Sequence, residues 1–367
     1  MSFGHGLVIG KFYPPHRGHH LLIEQAAERC ARLTVLAMAA RGETVALADR
    51  VAWLRATHAD DPRITVIGVP CDAPVEPESA PVWMAQETAI RVAVRNFSSL
   101  PVDAVFTSES YGDELAARLA AEHVSFDPDR TRVPISATRV RADLAGCWDQ
   151  LAEATRAGLT TRVVVVGAES TGTTTVTERL AEHYRGRWPR TQLVSEYGRE
   201  YTETKWALAR TEAREQGLAE PGLAEVEWGQ ADFDLIAAEQ TRREQAAARA
   251  GSPLLVCDTD AFATMVWERR YLADATRPAQ PWATTELPRR DVYLLTSHVD
   301  VPWHDDGLRE GDLAVRAAMT DWFADALTLA GHSWVLLTGD LHERVDLAVG
   351  VTDYLLAERA RFGQPIG

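Results

Sequence analysis

The sequence predicts an α/β protein of two domains, each organised around a parallel sheet. Three observations lead there. The chain has 367 residues, enough for two domains of ordinary size. A short β-branched run that passes through a glycine turn into a helical pattern occurs twice, at "GLVIG" (6–10) and "TRVVVVG" (161–167). Around these openings, unbroken apolar runs alternate with helical stretches, as in strands covered by helices on both faces.

In chain order, "GLVIG" feeds "KFYPPHRGHH" and then the helical "LLIEQAAERCARL". Further strands are expected at 33–39 ("LTVLAMA"), 64–69 ("ITVIGV") and 103–108 ("DAVFTS"). "ADLAGCWDQLAEATRAGLT" reads as a helix followed by a connector, which sets the boundary near residue 160 and the domains at 1–160 and 161–367. The second half repeats the pattern, with strands at 192–196, 253–258, 291–297 and 333–339. The stretch 207–250 is helical, interrupted at Pro221-Gly222, and its many charges read as a solvated face. No repeat with a period of roughly 20–50 residues recurs, which excludes a solenoid.

The net charge of −15 argues against nonspecific binding to nucleic acid or to acidic membranes. Cys30, Cys71, Cys147 and Cys257 form no CxxC pair, so free thiols in a reducing compartment are expected rather than a disulfide framework or a zinc site. The start of the chain has no signal segment and nothing reads as a membrane span, so a cytoplasmic enzyme is expected.

"HRGH" sits where the first strand turns into its helix, so His16 and His19 can converge on one ligand at a helix start that favours anions. Gly18 lets the backbone approach closely. "ISATRVR" (135–141) offers Ser136 as an N-cap, with Thr138 and Arg141 as a hydroxyl and a guanidinium beside a second helix start. "GAESTGTTT" (167–175) has the glycine spacing of a phosphate-binding loop, but Thr173 stands where the G-x-x-x-x-G-K-[ST] pattern puts lysine. Gly167 and Gly172 permit the turn, amide groups through Thr175 can surround a phosphate, and Thr174 occupies the hydroxyl position that meets Mg²⁺. "PLLVCDTD" is an apolar strand ending in Asp258, a second Mg²⁺ ligand candidate.

The first two motifs match H-x-G-H and I-S-x-T-x-x-R of the adenylate-forming nucleotidyltransferase superfamily. "GKFYPPHRGHHLLIEQA" and "DAVFTSESYGDELAARL", followed by "VSEYGREY", "DTDAFAT" and "VPWHDDGLRE" at successive strand ends, resemble the NadR family from Gly6 to about Asp346. The resemblance implies a Rossmann-like nucleotidyltransferase domain followed by a P-loop kinase-like domain. The first would join nicotinamide mononucleotide to the α-phosphate of ATP, giving NAD and pyrophosphate. The second would phosphorylate nicotinamide riboside with ATP and Mg²⁺.

By the same resemblance, Gly10, Phe12, Gly18, Ser136 and Thr138 line the first ATP site, where His16, His19, Lys11 and Arg141 meet the phosphates. Trp83, in the loop-like "APVWMAQET", is either a stacking partner for the pyridinium ring or a core residue. Glu196, Tyr197, Arg199, Asp260, Trp303, Asp306 and Arg309 surround the riboside. Arg199 or Arg309 would replace the missing lysine charge, and base, metal ligand and ribose contact stay undivided among Asp258, Asp260 and Glu196. Two rival readings stand beside this one. In the first, only the adenylyltransferase works and the lysine-less domain is a regulatory nucleotide-binding module. The second, a DNA-binding repressor, is disfavoured by the acidic balance and by a first strand beginning within about six residues of Met1. The resemblance also implies a homo-oligomer, which the residues themselves leave open.

Overall fold

The computed structural model describes residues 3–74, 76, 78–272, 288–299, 301 and 312–365. Trp303, Asp306 and Arg309, with the rest of "PWHDDGLRE", lie outside the described residues. Contacts divide the chain into unit 1, Met1–Leu159 with Arg359–Gly367, and unit 2, Thr160–Glu358. The sequence sets its boundary near 160 and gives no sign that the last residues return to the first unit.

Unit 1 runs β1 (Phe3–Gly10), α1 (Arg17–Glu28), β2 (Cys30–Ala39), α2 (Leu47–Thr57), β3 (Ile64–Pro70), α3 (Ala80–Phe97), β4 (Ala104–Thr107), α4 (Gly112–Leu119), β5 (Glu122–Ser125), α5 (Ala137–Ala142) and α6 (Glu153–Leu159). Its five strands are ordered β3-β2-β1-β4-β5 and every pairing is parallel. Alternation along β1 explains the two apolar layers. Val8 faces Leu22, Ile23 and Ala26 of α1, while Leu7 faces Trp83 and Ile90 of α3 and Leu115 of α4. The four expected strands are all present. β5 has no expected counterpart, because "EHVS" is a short edge strand without an apolar run. Trp83, expected in a loop, lies in the first turn of α3, where Pro81 suits a helix start.

Unit 2 runs β6 (Thr161–Gly167), α7 (Thr173–Arg185), β7 (Gln192–Val194), α8 (Tyr197–Glu215), α9 (Gln230–Ala250), β8 (Leu254–Asp258), α10 (Ala261–Tyr271), β9 (Val292–Thr296), α11 (Leu313–Leu329), β10 (Trp334–Leu337) and α12 (Leu341–Arg359). The order is β10-β9-β6-β8-β7, again wholly parallel. β6 is buried at every residue, and its Val163 and Val165 pack on Val176, Leu180 and Ala181 of α7. The charged stretch 207–250 breaks around Pro221-Gly222 and forms exposed pairs such as Arg214–Glu220 at 2.7 Å, each worth little. Glu244 departs from the expected solvated face. It is fully buried and 2.9 Å from Arg290. Among the described residues, no helix is long and apolar enough to cross a membrane.

The tail of the chain completes unit 1. Arg359 donates to the carbonyls of Leu159 and Gly158 at 3.3 and 3.0 Å. Phe362 meets the Tyr13 ring edge-on at 5.5 Å. The Tyr13 hydroxyl donates to Gly363 O at 3.1 Å. Phe362→Ala should lower the stability of unit 1 by about 1 kcal/mol, the scale of one aromatic pair, and deletion of 359–367 by more. Thermal unfolding of the whole chain reads both. A deletion with an unchanged midpoint would show that the tail contributes nothing to that core.

Two candidate phosphate-binding sites

In unit 1, the segment after β1 delivers the two motif histidines to the start of α1. Phe12 takes a left-handed φ of 47° as the chain leaves the sheet. His16 is the N-cap in extended conformation, and its carbonyl accepts from the amides of His19 and His20 at 2.9 and 3.2 Å. The His16 amide donates to His19 Nδ1 at 3.3 Å. That bond makes Nδ1 an acceptor, so the neutral His19 ring has its proton on Nε2. The two rings stack at 3.7 Å, and Phe12 meets His19 edge-on at 5.0 Å. Gly18 packs closely here, because an added Cβ would sit 3.1 Å from the His16 ring and press on it. Gly10 ends β1, with the Phe12 ring beside it.

Burial sets the charge of these rings. It pushes His16 down to about 4, with Arg130 as a second cause. Burial, then the neighbouring His16, holds His19 well below the usual histidine range. Both are therefore hydrogen-bonding groups, not cations, near neutral pH. Positive charge comes from Lys11 and Arg141. Lys11 Nζ lies 3.4 Å from Glu43 Oε1, and the buried Glu43 also binds Arg50 at 2.6 Å. Arg141 donates to Tyr13 O at 2.8 Å and to Thr138 Oγ1 at 3.2 Å. Ser136 is the N-cap of α5, accepting from the Arg139 amide at 3.2 Å. Arg141 on Tyr13 and Ile135 beside Gly18 bring the two motifs together. Trp83 stands apart. Its ring is 8% exposed, packs in the apolar core and has Arg118 over it at 5.2 Å, so it offers no open face for stacking.

Sequence reading singled out His16 and His19 and missed Arg130, whose positive charge also disfavours protonation of His16. Arg130 lies in the β5–α5 loop at φ 52° and pairs with Glu109 at 2.7 Å. A cleft in unit 1, about 540 Å³ along α3 near Ile90 and Val94, is lined by none of the motif residues.

In unit 2, β6 ends at Gly167 and α7 begins at Thr173. Between them the loop turns through Ser170 at φ 58° and Gly172 at φ 85°. Gly172 meets the demand for a left-handed residue without strain. The Thr171 hydroxyl donates to Ala168 O at 2.7 Å and lies 2.6 Å from Thr296 Oγ1 at the end of β9. The Thr174 hydroxyl donates to Asp258 Oδ2 at 2.6 Å, so the two candidate metal ligands already touch. Burial raises Asp258 to about 6, against the lowering by Thr174 and Thr173.

The loop forms one end of a cleft of about 440 Å³. Gly167, Gly172, Thr173, Thr174 and Thr175 line that end, together with Glu196 and Arg199 at the start of α8. Trp228, Phe233, Trp267 and Tyr271 line the cleft as well. Trp228 lies 5.5 Å from Tyr271 and 5.7 Å from Phe233, with rings tilted by 34° and 40°. None of these four aromatics was legible as a site residue, because two helices and a loop supply them and no local spacing links them all.

The remaining candidates of unit 2 separate clearly. Arg199 lines the cleft and pairs with Glu203 at 3.5 Å. Asp260 is a structural acid. Fully buried, it caps α10 through the Ala263 amide at 2.9 Å and accepts from Arg290 at 2.8 Å and from the Tyr293 hydroxyl at 2.7 Å. The Tyr197 amide donates to Gln240 at 2.9 Å and its ring lies under Arg243 at 4.4 Å. Neither Asp260 nor Tyr197 lines the cleft. Glu196 does.

Comparison with known proteins agrees with this division. Residues 7–143 match the cytidylyltransferase-like family and residues 162–344 match an AAA domain family. The trifunctional NAD biosynthesis/regulator protein NadR of Escherichia coli is 25% identical over 317 residues, covering 83% of this chain and 71% of that protein. Its Salmonella typhimurium counterpart is 24% identical with the same coverage. Two solved NadR structures, one in complex with NR and one with NAD and AMP-PNP, superpose at TM-score 0.62 over 97% of each chain, at 20% and 19% identity. Two parallel units, motifs in matching order and this likeness along the chain make it a homologue of the NadR proteins.

Proposed function

We propose that the chain performs two successive steps of pyridine-nucleotide salvage. Unit 2 phosphorylates nicotinamide riboside to the mononucleotide, and unit 1 adenylylates the mononucleotide to NAD. The observation that carries this reading is the cleft of unit 2 in which a phosphate-binding loop and an aromatic cluster line one cavity. A cationic pyridinium ring gains from aromatic faces, and a triphosphate gains from the loop amides and the start of α7. The relatives support the same pairing, since solved NadR structures hold NR in one case and NAD with AMP-PNP in another.

In unit 2 the riboside 5′-hydroxyl attacks the γ-phosphorus of ATP, its proton leaves to a carboxylate, and ADP departs. Asp260 is spent on Arg290 and Tyr293, whereas Asp258 meets the loop through Thr174 and Glu196 lines the cleft, so these two carry the chemistry. Thr174 and Asp258 fit Mg²⁺ as hard oxygen ligands beside the loop, and the ion would neutralise phosphate charge when bound. Glu196 then serves the riboside hydroxyls. Thr173 supplies no charge, so Arg199, which also lines the cleft, takes that part.

In unit 1 a mononucleotide phosphate oxygen attacks the α-phosphorus of ATP and pyrophosphate leaves. His19 presents Nε2–H as a neutral donor, His16 stacks behind it, and Lys11 and Arg141 neutralise phosphate charge. A second reading is favoured by one observation, the threonine at 173. In it, unit 2 binds nucleotide without transferring phosphate.

Incubation of the full chain with nicotinamide riboside, ATP and Mg²⁺, followed by mass analysis, decides between them. Mononucleotide and NAD together are the expected products. NAD formed only from supplied mononucleotide would sink the kinase half. His19→Ala should lower NAD formation by about 10²–10³-fold, the cost of removing one preorganised donor, while mononucleotide still accumulates. Undiminished NAD formation would remove His19 from the reaction.

Asp258 gives a test by pH. An unfolded aspartate titrates near 4, whereas Asp258 is raised to about 6 in the fold. The nucleotide-free fold therefore holds an extra proton between those values, and stability falls as pH rises through the window. Asp258→Asn should abolish that fall. Its advantage over the parent should grow from nil near pH 4 to on the order of 2 kcal/mol above pH 7. Parallel denaturation curves across the range would contradict the raised value.

A further inference from the structure

Two buried guanidinium groups hold the phosphate-binding loop of unit 2 from behind, and neither belongs to a motif discussed above. Arg316, on α11, is fully buried. Its Nε donates to Glu169 O and its Nη2 to Ser170 O, both at 3.1 Å. Arg344, in the first turn of α12, is 3% exposed. Its Nη1 donates to Thr171 O at 3.1 Å and to Ser297 O at 3.0 Å, and Nε and Nη2 bind Gly339 O and Val299 O at 2.8 and 3.2 Å. Three successive carbonyls of the loop, at 169, 170 and 171, are thus gripped by cations.

That grip fixes the direction of the amides. In a trans peptide the N–H points opposite to the carbonyl of the preceding residue, and the cis bond of the described chain is at Tyr13-Pro14, far from this loop in sequence. Carbonyls drawn back at 169 and 171 turn the amides of Ser170 and Gly172 the other way. The Thr171 amide closes a turn on Ala168 O at 3.3 Å. Ser170 holds a left-handed φ of 58°, a conformation that costs a non-glycine residue free energy and needs an external tie. The Arg316 bond to its carbonyl is such a tie.

The choice of arginine also needs a reason. Burying a full charge is costly, and a neutral donor would cap a carbonyl at less expense. Among the described residues Arg316 forms no ion pair, and its Nη1 has no hydrogen-bond partner. Charge behind the loop has a use when an anion arrives in front of it. This loop has threonine where a lysine would otherwise supply that charge.

We propose that Arg316 and Arg344 are positioning residues for phosphate binding. They aim the loop amides at the β-phosphate of a nucleoside di- or triphosphate and supply from behind the positive potential that Thr173 lacks. The inference rests on the reading that this loop binds nucleotide phosphates, and it does not require phosphate transfer.

The test uses the full chain with Mg²⁺. ADP and AMP are titrated separately, and binding is read from amide-exchange protection of peptides within 160–358. Arg316→Gln should weaken ADP about tenfold or more, the scale of lost charge-assisted bonds, and change AMP less than twofold. Arg344→Gln should act in the same direction. Arg316→Lys keeps the charge without the two-pronged grip and should retain most of the ADP affinity, within about threefold of the parent. Equal weakening of ADP and AMP would overturn the proposal in favour of a purely scaffolding role. So would unchanged ADP binding in a folded Gln variant, or an ADP titration that leaves 167–175 unprotected in the parent. If Arg316→Gln fails to fold, Arg344→Gln and the Lys variant decide by the same ADP-to-AMP ratio. Arginine-dependent ADP binding in a chain that phosphorylates no riboside would refute the kinase reading and leave this one standing.

Discussion

A parallel strand buried on both faces has one outlet for polar chemistry, the end where its chain leaves the sheet. Both units obey this constraint. β1 and β6 lie at the centre of their sheets, flanked by strands on either side and covered by helices. Their side chains have no freedom to shift without opening a cavity in a close-packed core. The turn that follows is therefore fixed at its origin. The helix after it begins with amides that have no partner within the helix, and an anion completes them. The histidine pair of unit 1 and the glycine loop of unit 2 are two sets of side chains fitted to one backbone situation.

The two sets answer the charge of a phosphate differently. Unit 1 relies on side chains. Burial keeps its imidazoles neutral, and cations stand beside them on Tyr13 and Glu43. Unit 2 relies on the backbone, with a carboxylate at the loop that burial pushes towards its neutral form. The common cause is desolvation, which disfavours a lone charge of either sign. Before ligands arrive, each site is thus less charged than its residue list implies. Under the proposed function, ligand binding and proton movement are accordingly coupled in both.

The sequence showed the architecture well because the buried strands are apolar throughout. "TRVVVVG", "PLLVCD" and "DVYLLTS" can hardly be anything else between helical segments. The short edge strand β5 escaped notice since it has no core-facing run to betray it. At the candidate sites, His16, His19, Ser136, Gly172 and Thr174 could be picked out as proposals because contiguous motifs hold them. Trp228 and Tyr271, Arg130, Arg316 and Arg344 could not, for each acts through a contact made far along the chain. Asp260 shows how a strand-end acid can be engaged by the fold. An acid two residues past the end of a strand looks catalytic, yet the fold spends it on a helix cap and a buried arginine. Trp83 was likewise left open by its neighbours, and the fold packs it in the apolar core at 8% exposure.

The return of residues 359–365 to unit 1 has a consequence for biosynthesis. Unit 2 is an insertion within the first unit rather than a successor to it. As the polypeptide emerges from the ribosome, the Tyr13 ring waits for Phe362 while nearly 350 intervening residues are made. The unit that starts first finishes last, and any scheme that severs the chain at the midpoint leaves it short of its closing piece.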